Sequence, residues 1–332
     1  MRAPRRELAA VLLGLAAALF FTSTYLLNRA MATAGGHWAW SAALRYLFTL
    51  PLLWLLLRWR GRAATAQVWT ALRAHPLPWL GWSTIGFGLF CVCLTWSAAH
   101  APAWLVAGTF QLTVVAGMLL GPLLYRDERA RLPRAALALG CVIVLGVALM
   151  QGAHFHGRLD RAAWLALALV ALSATLYPLG NRAILLHLER SGEALDATMR
   201  VYGMTLASQP FWWLVALYAW FVAGPPPLAQ MSLAAGVALF TGVIATVLFF
   251  HATGLVRDQP AALGAVEAMQ AAELLFTSAL GVLLLGEAVP RGGAALGGLL
   301  VIIGIVALGV LVGRNAARDH RSQQVLRSDR GA

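Results

Sequence analysis

Two glutamates, Glu267 and Glu273, lie inside an apolar run that ends at Leu285, together with Gln270 and Thr277. At about 100° of turn per residue, a helix places Glu267, Gln270, Glu273 and Thr277 within an arc of about 120°. That is one polar stripe, suited to lining a wet cleft. An ionisable group at bilayer depth costs at least ~2.5 kcal/mol and commonly faces a cavity. A carboxyl moved from water into an apolar interior gives up its proton less readily, which is the property proton exchange needs. Its ionised form attracts cationic solutes. The alternative is a structural carboxylate, paired with Arg45, Arg200 or His251 or hydrogen-bonded to a neighbouring helix. Arg45 itself sits inside an apolar run, either snorkelling to an interface or serving as a counter-ion. His251 is a candidate proton relay or a packing residue.

The elements that carry these groups follow from composition. Of 332 residues, 60% are apolar and 11% charged, against about half and about a quarter in a soluble domain. So few charges cannot coat a globule of this size, so lipid is the expected solvent. The net charge of +12 does not point to nucleic acid, because the arginines cluster at the ends of apolar runs and form no basic face. Ten runs are long enough to cross a bilayer: 8–28, 38–57, 79–98, 103–124, 135–151, 162–185, 199–222, 232–256, 260–285 and 292–313. The first follows Arg2, Arg5 and Arg6 and is read as an uncleaved helix. The polar segments are the linkers 58–78 and 186–198 and the tail after Gly313.

With ten helices and both termini in the cytoplasm, cytoplasmic segments hold 20 arginines. The other side holds four, Arg29, Arg158, Arg161 and Arg291. This is the positive-inside pattern, and it supports an even number of spans. Trp38, Trp79, Trp104, Trp164 and Trp220 are expected at the interfaces. Cys91, Cys93 and Cys141 are expected as small buried side chains, with no disulfide or metal role.

The chain also repeats itself. Asn28-Arg29-Ala30 is matched by Asn181-Arg182-Ala183, Gln111 by Gln270, and Glu128 by Glu287. Gly140 and Gly146 are matched by Gly298 and Gly304, and Pro51 by Pro210. The offsets fall between 153 and 159 residues. Two halves of five helices follow, 1–154 and 155–313, with 314–332 a cytoplasmic basic tail. Five is odd, so the halves are inverted relative to one another, an arrangement that gives a physical route to alternating access. Gln111 and Gln270 become candidate cavity residues, with Asn28 and Asn181 as a second matched pair. Pro51, Pro178 and Pro210 are candidate kinks, and the tenth span offers Gly293, Gly297, Gly304, Gly309 and Gly313 for close packing.

The Arg45-Tyr46 pair in the second span, the ends of the fourth and ninth spans at Glu128 and Leu285-Gly286-Glu287, and the segment Ala265–Glu273 carry a resemblance. Over about residues 8–313 the chain resembles the drug/metabolite transporter superfamily. More narrowly, it is similar to its ten-helix, EamA-like multidrug resistance efflux members. The resemblance implies secondary transport of small organic molecules, often by exchange with protons, and places Tyr25 and Tyr177 of the first and sixth helices at the cleft. Four-helix relatives carry a carboxylate in their first helix. Here that helix offers Thr22, Ser23, Thr24, Tyr25 and Asn28 but no acid, so if protons drive transport the carboxylate sits elsewhere, with Glu267 and Glu273 of the ninth helix as the candidates.

Other chemistries find no footing. The sequence has no Walker A motif, no Asp-rich diphosphate motif on a cytoplasmic loop, and only the short His154-Phe155-His156 as a metal signal. The expectation is an all-α polytopic protein of the bacterial inner membrane, with no cofactor, not an enzyme, exporting small organic solutes, cationic ones among them, against protons. It is expected to act as a monomer or homodimer. A metabolite importer or facilitator of the same fold is the alternative, and a membrane-embedded enzyme a third.

Overall fold

A computed structural model describes residues 3–126, 134–155, 161–256, 266 and 269–329. Among these residues the chain is helical throughout, without strands. Lipid offers backbone groups no hydrogen-bond partner, and a helix satisfies them within one segment. In chain order the helices are α1 (Ala3–Phe21), α2 (Ser23–Thr33), α3 (Trp38–Arg60), α4 (Arg62–Ala74), α5 (Pro76–Ser83) and α6 (Phe90–His100). Next come α7 (Ala103–Phe110), α8 (Leu112–Leu124), α9 (Arg134–Phe155), α10 (Arg161–Ser191), α11 (Ala197–Ala207) and α12 (Gln209–Ala223). The last four are α13 (Leu228–Val237), α14 (Thr246–Leu255), α15 (Ala272–Leu285) and α16 (Gly293–Asp329). Wider, π-helical stretches join α5 to α6 at Thr84–Leu89 and α13 to α14 at Ala238–Ala245, and a short 3₁₀ turn, Met269–Ala271, precedes α15.

Seven of the resulting helices are long and apolar enough to cross a membrane among the described residues. α11 and α12, bent by 46° at Ser208, make an eighth if taken as one span. Two more apolar helices, Ala103–Leu119 and Met269–Leu285, are shorter. The ten sequence windows thus correspond to seven full-length helices, one bent pair and two short segments. The short ones lie in the fourth and ninth windows, which contain the break at Gln111 and the 3₁₀ turn.

Several expectations are corrected. The polar linker 58–78 contains a helix, α4, which buries Thr65, Val68 and Ala71, a spacing of three that makes one inward face. Gly61, at φ 123°, provides the turn that separates α4 from α3. α3 runs unbroken through Pro51, and α16 continues past Gly313 to Asp329. Trp79 and Trp104 are not interface anchors but buried, whereas Trp164 and Trp220 are exposed. Trp79 is held against Gly203, where a Cβ would sit 2.8 Å from its ring. Cys141 is exposed, unlike Cys91 and Cys93.

Packing depends on glycines. A Cβ on Gly297 would lie 2.4 Å from the Gly146 carbonyl oxygen, and one on Gly146 would lie 2.6 Å from that of Gly297, so α9 and α16 touch backbone to backbone. Gly86 and Gly180 do the same for the Thr84–Leu89 stretch and α10. The contacts come in matched pairs. The two helices of the first window pack on α14 and the Ala238–Ala245 stretch, and α10 packs on α6 and the Thr84–Leu89 stretch. α3 meets α12, α7 meets α15, and α9 meets α16.

Candidate functional site

The break in the α7–α8 segment places Gln111 in the interior. Gln111 is 4% exposed and its side chain lies beside the Glu273 carboxyl. Glu273 stands in the first turn of α15, directly after the 3₁₀ turn that contains Gln270. Both glutamines of the repeat therefore sit where a helix is irregular. At such breaks backbone polar groups become free to face a cavity.

Tyr25 of α2 and Tyr177 of α10 face the same region. Tyr25 is buried and lies within electrostatic reach of Glu273, Arg45 and Tyr177. Tyr177 is within reach of Arg45, Arg200 and Glu273, and at 39% exposure its ring fronts open space. The Phe110 ring lies 6.4 Å from Tyr25 and 6.2 Å from Tyr177, and the Phe90 ring is 5.0 Å from Tyr177. One acid, two phenols, an amide and an aromatic wall thus converge from α2, α6, α7, α10 and α15. No ion pair ties Glu273 to Arg45, Arg200 or His251 among the described residues, which removes the paired-carboxylate alternative for it.

Arg45 does not snorkel. It is 8% exposed, stands 5.6 Å over the Tyr46 ring and lies close to the Cys91 side chain. Tyr46 stacks in turn on Trp212 at 4.6 Å. Asn28 is 3% exposed, and both its side-chain polar atoms lack partners among the described residues. Gln270 is partly buried with its amide nitrogen unpartnered among them.

Two expected residues fall outside the cluster. Asn181 turns its amide back onto the Tyr177 carbonyl at 2.9 Å, so its match to Asn28 does not extend to surroundings. His251 is exposed on α14. Glu267 lies outside the described residues. Phe90 and Phe110 were not anticipated; the signal available was that Phe110 precedes Gln111 in sequence.

At one end of the bundle, Glu287 accepts from the Ala103 backbone N–H at 2.7 Å and lies 3.7 Å from Arg29 Nε. Arg29 also donates to the carbonyls of Ala98 and Ala99, both at 3.3 Å. Gly286, left-handed at φ 64°, ends α15 and turns Glu287 inward. The ends of α2, α6, α7 and α15 are thereby tied together. Its sequence match, Glu128, lies outside the described residues.

Comparison with known proteins gives a consistent picture. A family model described as "EmrE: Putative multidrug resistance efflux transporter" matches residues 8–314. The uncharacterized protein YjlA of Bacillus subtilis (strain 168) is 41% identical over 308 residues, covering 89% of this chain and 92% of YjlA. An uncharacterized 42.1 kDa protein of Shouchella clausii, from the 3′ region of an intracellular alkaline protease, is 40% identical over 257 residues, 76% of this chain and 66% of its own. One solved crystal structure superposes with a TM-score of 0.60 over 92% of this chain and 98% of its own, at 17% identity, a likeness of fold.

Proposed function

The chain belongs to the EmrE family of multidrug resistance efflux transporters, and from that premise we propose that it exports small organic molecules across the bacterial inner membrane in exchange for protons. Membership makes it a multi-pass membrane protein of a transporter family. In this reading ten segments cross the bilayer, the two short ones being broken where the site lies. Two inverted halves of five alternate their conformations around it, in a monomer or a homodimer. The matched π-helical stretches, 154 residues apart at Thr84 and Ala238, support that symmetry, as do the matched packing pairs.

The observation that carries the reading is Glu273, an acid without a basic partner among the described residues, set beside Gln111, Tyr25 and Tyr177 at a helix break. Such a carboxyl can hold either a proton or a cationic group of the solute, but not both. Competition for one carboxylate is sufficient for exchange coupling, because each ligand lowers the affinity for the other.

Solute flux in proteoliposomes with an imposed pH gradient tests this. Wild-type flux is expected to follow the gradient. Glu273→Gln, which keeps the shape and the contact with Gln111 but cannot ionise, is expected to lose gradient-driven flux by about a hundredfold or more, the scale of a general acid–base group. Flux of the variant that still tracks the gradient would refute the assignment. Wild-type flux indifferent to the gradient would favour a facilitator of the same fold.

A further inference from the structure

Exchange at Glu273 leaves two charged groups near the site unused, Arg45 and Arg200, of which Arg45 is the more deeply buried. Arg45 is 8% exposed, and its Nη1 is buried without a partner among the described residues. Its guanidinium stands over the Tyr46 ring and close to the Cys91 thiol, both neutral groups. The ion pairs among the described residues, Arg29–Glu287 and Arg60–Asp196, do not include it. A guanidinium is a planar fork of N–H donors built to receive two oxygens of an anion. Burying one with an idle donor is unfavourable unless something completes it.

The surroundings say what that is. Tyr25 and Tyr177 are each near both Arg45 and Glu273, so the phenols share their surroundings with a basic and an acidic group. Phe110 and Phe90 wall the same space. The charged and titratable groups facing it are Arg45 and Tyr46 of α3, Tyr25 of α2, Cys91 of α6, Tyr177 of α10, Arg200 of α11 and Glu273 of α15.

We infer that Arg45 receives an anionic oxygen group of the transported molecule, and that the substrate is therefore amphoteric. Its acidic group lies on Arg45, its cationic group at Glu273 and its apolar body against Phe110 and the tyrosines. This rests on the transport reading above. The cationic group competes with the proton for Glu273 while the acidic group stays on Arg45, so exchange is preserved. A molecule with the acidic group alone binds alongside the proton. Its binding strengthens as the medium is acidified, whereas that of a plain amine weakens.

The test uses three pools of compounds sharing the same phenyl and indolyl bodies: primary amines, the corresponding amino acids and the corresponding carboxylates. In proteoliposomes bearing a pH gradient, the amphoteric pool is expected to outrun the amines by about tenfold, the scale of one charge-assisted hydrogen bond. Arg45→Gln is expected to bring the amphoteric pool down to the amine level while amine flux persists, and Arg45→Lys to retain part of the preference. If Arg45→Gln fails to elute as a single species from size exclusion, the wild-type pool ratio and Arg45→Lys decide. Gradient-driven flux with amines carried as well as the amphoteric pool would overturn this inference and leave the transport reading intact. So would an unchanged ratio in Arg45→Gln. No flux from any pool would overturn both.

Discussion

Asp196 shows how single residues outside the bilayer hold helix ends in place. Partial burial works to raise its affinity for a proton, but the Met199 N–H at 2.9 Å and Arg60 at 2.6 Å outweigh it and hold the carboxyl below the usual carboxylate range. A carboxyl depressed by folding contributes stability above its unfolded value, and that contribution is lost as pH falls through the folded one. Asp196→Ala removes the N-cap of α11 and is expected to cost about 1 kcal/mol. Asp196→Asn keeps a capping oxygen and is expected to retain most of the stability while losing its acid dependence. Melting of detergent-solubilised protein from about pH 5 down into the strongly acidic range, where a depressed carboxyl takes up its proton, checks both, and a full loss in Asp196→Asn would show the ion pair, not the cap, to matter. At this scale the sequence spoke unevenly. Glu273, Gln111 and Arg45 could be picked out because polar groups in apolar runs are conspicuous, whereas Tyr25 and Tyr177 came from the family resemblance. Their neighbours Phe90 and Phe110 could not, since an aromatic ring in an apolar run is unremarkable. The fate of Asn181 was equally hidden, because a helical amide can turn to its own i−4 carbonyl at any position.

At the scale of elements, helix contact is set by what is missing from the side chains. Gly297 and Gly180 leave no space for a methyl group: the nearest backbone atoms would lie 2.4 Å and 2.3 Å from it. Gly297→Ala and Gly180→Ala are each expected to cost about 1–3 kcal/mol, the range for overpacking, whereas Gly152→Ala, with nothing within 4 Å, is expected to be neutral or better. Thermal aggregation of the solubilised variants separates these outcomes, and equal behaviour of all three would contradict the contact geometry. The small-residue surface of the last span was legible from its glycines, though not which partner it meets. α4 was not, because a helix of 13 residues is shorter than the windows that detect membrane spans. The break at Gln111 escaped for a related reason, as one amide barely lowers the mean of an apolar window.

Across the whole molecule, α3 packs on α12, α7 on α15 and α9 on α16, and each of these pairs joins segments that the repeat offset relates in sequence. Under alternating access the end joined by Glu287 has to part for the site to open on that side. Glu287→Ala removes the acceptor of the Ala103 N–H and the ion-pair partner of Arg29. It is expected to raise the reactivity of a cysteine introduced at Gln270 towards a membrane-impermeant maleimide added from that side. Unchanged labelling would mean that the joint does not hold the bundle shut. The same joint bears on temperature. Bonds broken on opening enter the activation enthalpy, and each ~1.4 kcal/mol of barrier is a tenfold change in rate. A carrier closed by Glu287 slows steeply on cooling, and a chain adapted to cold surroundings would be expected to loosen this joint before altering anything at the binding site.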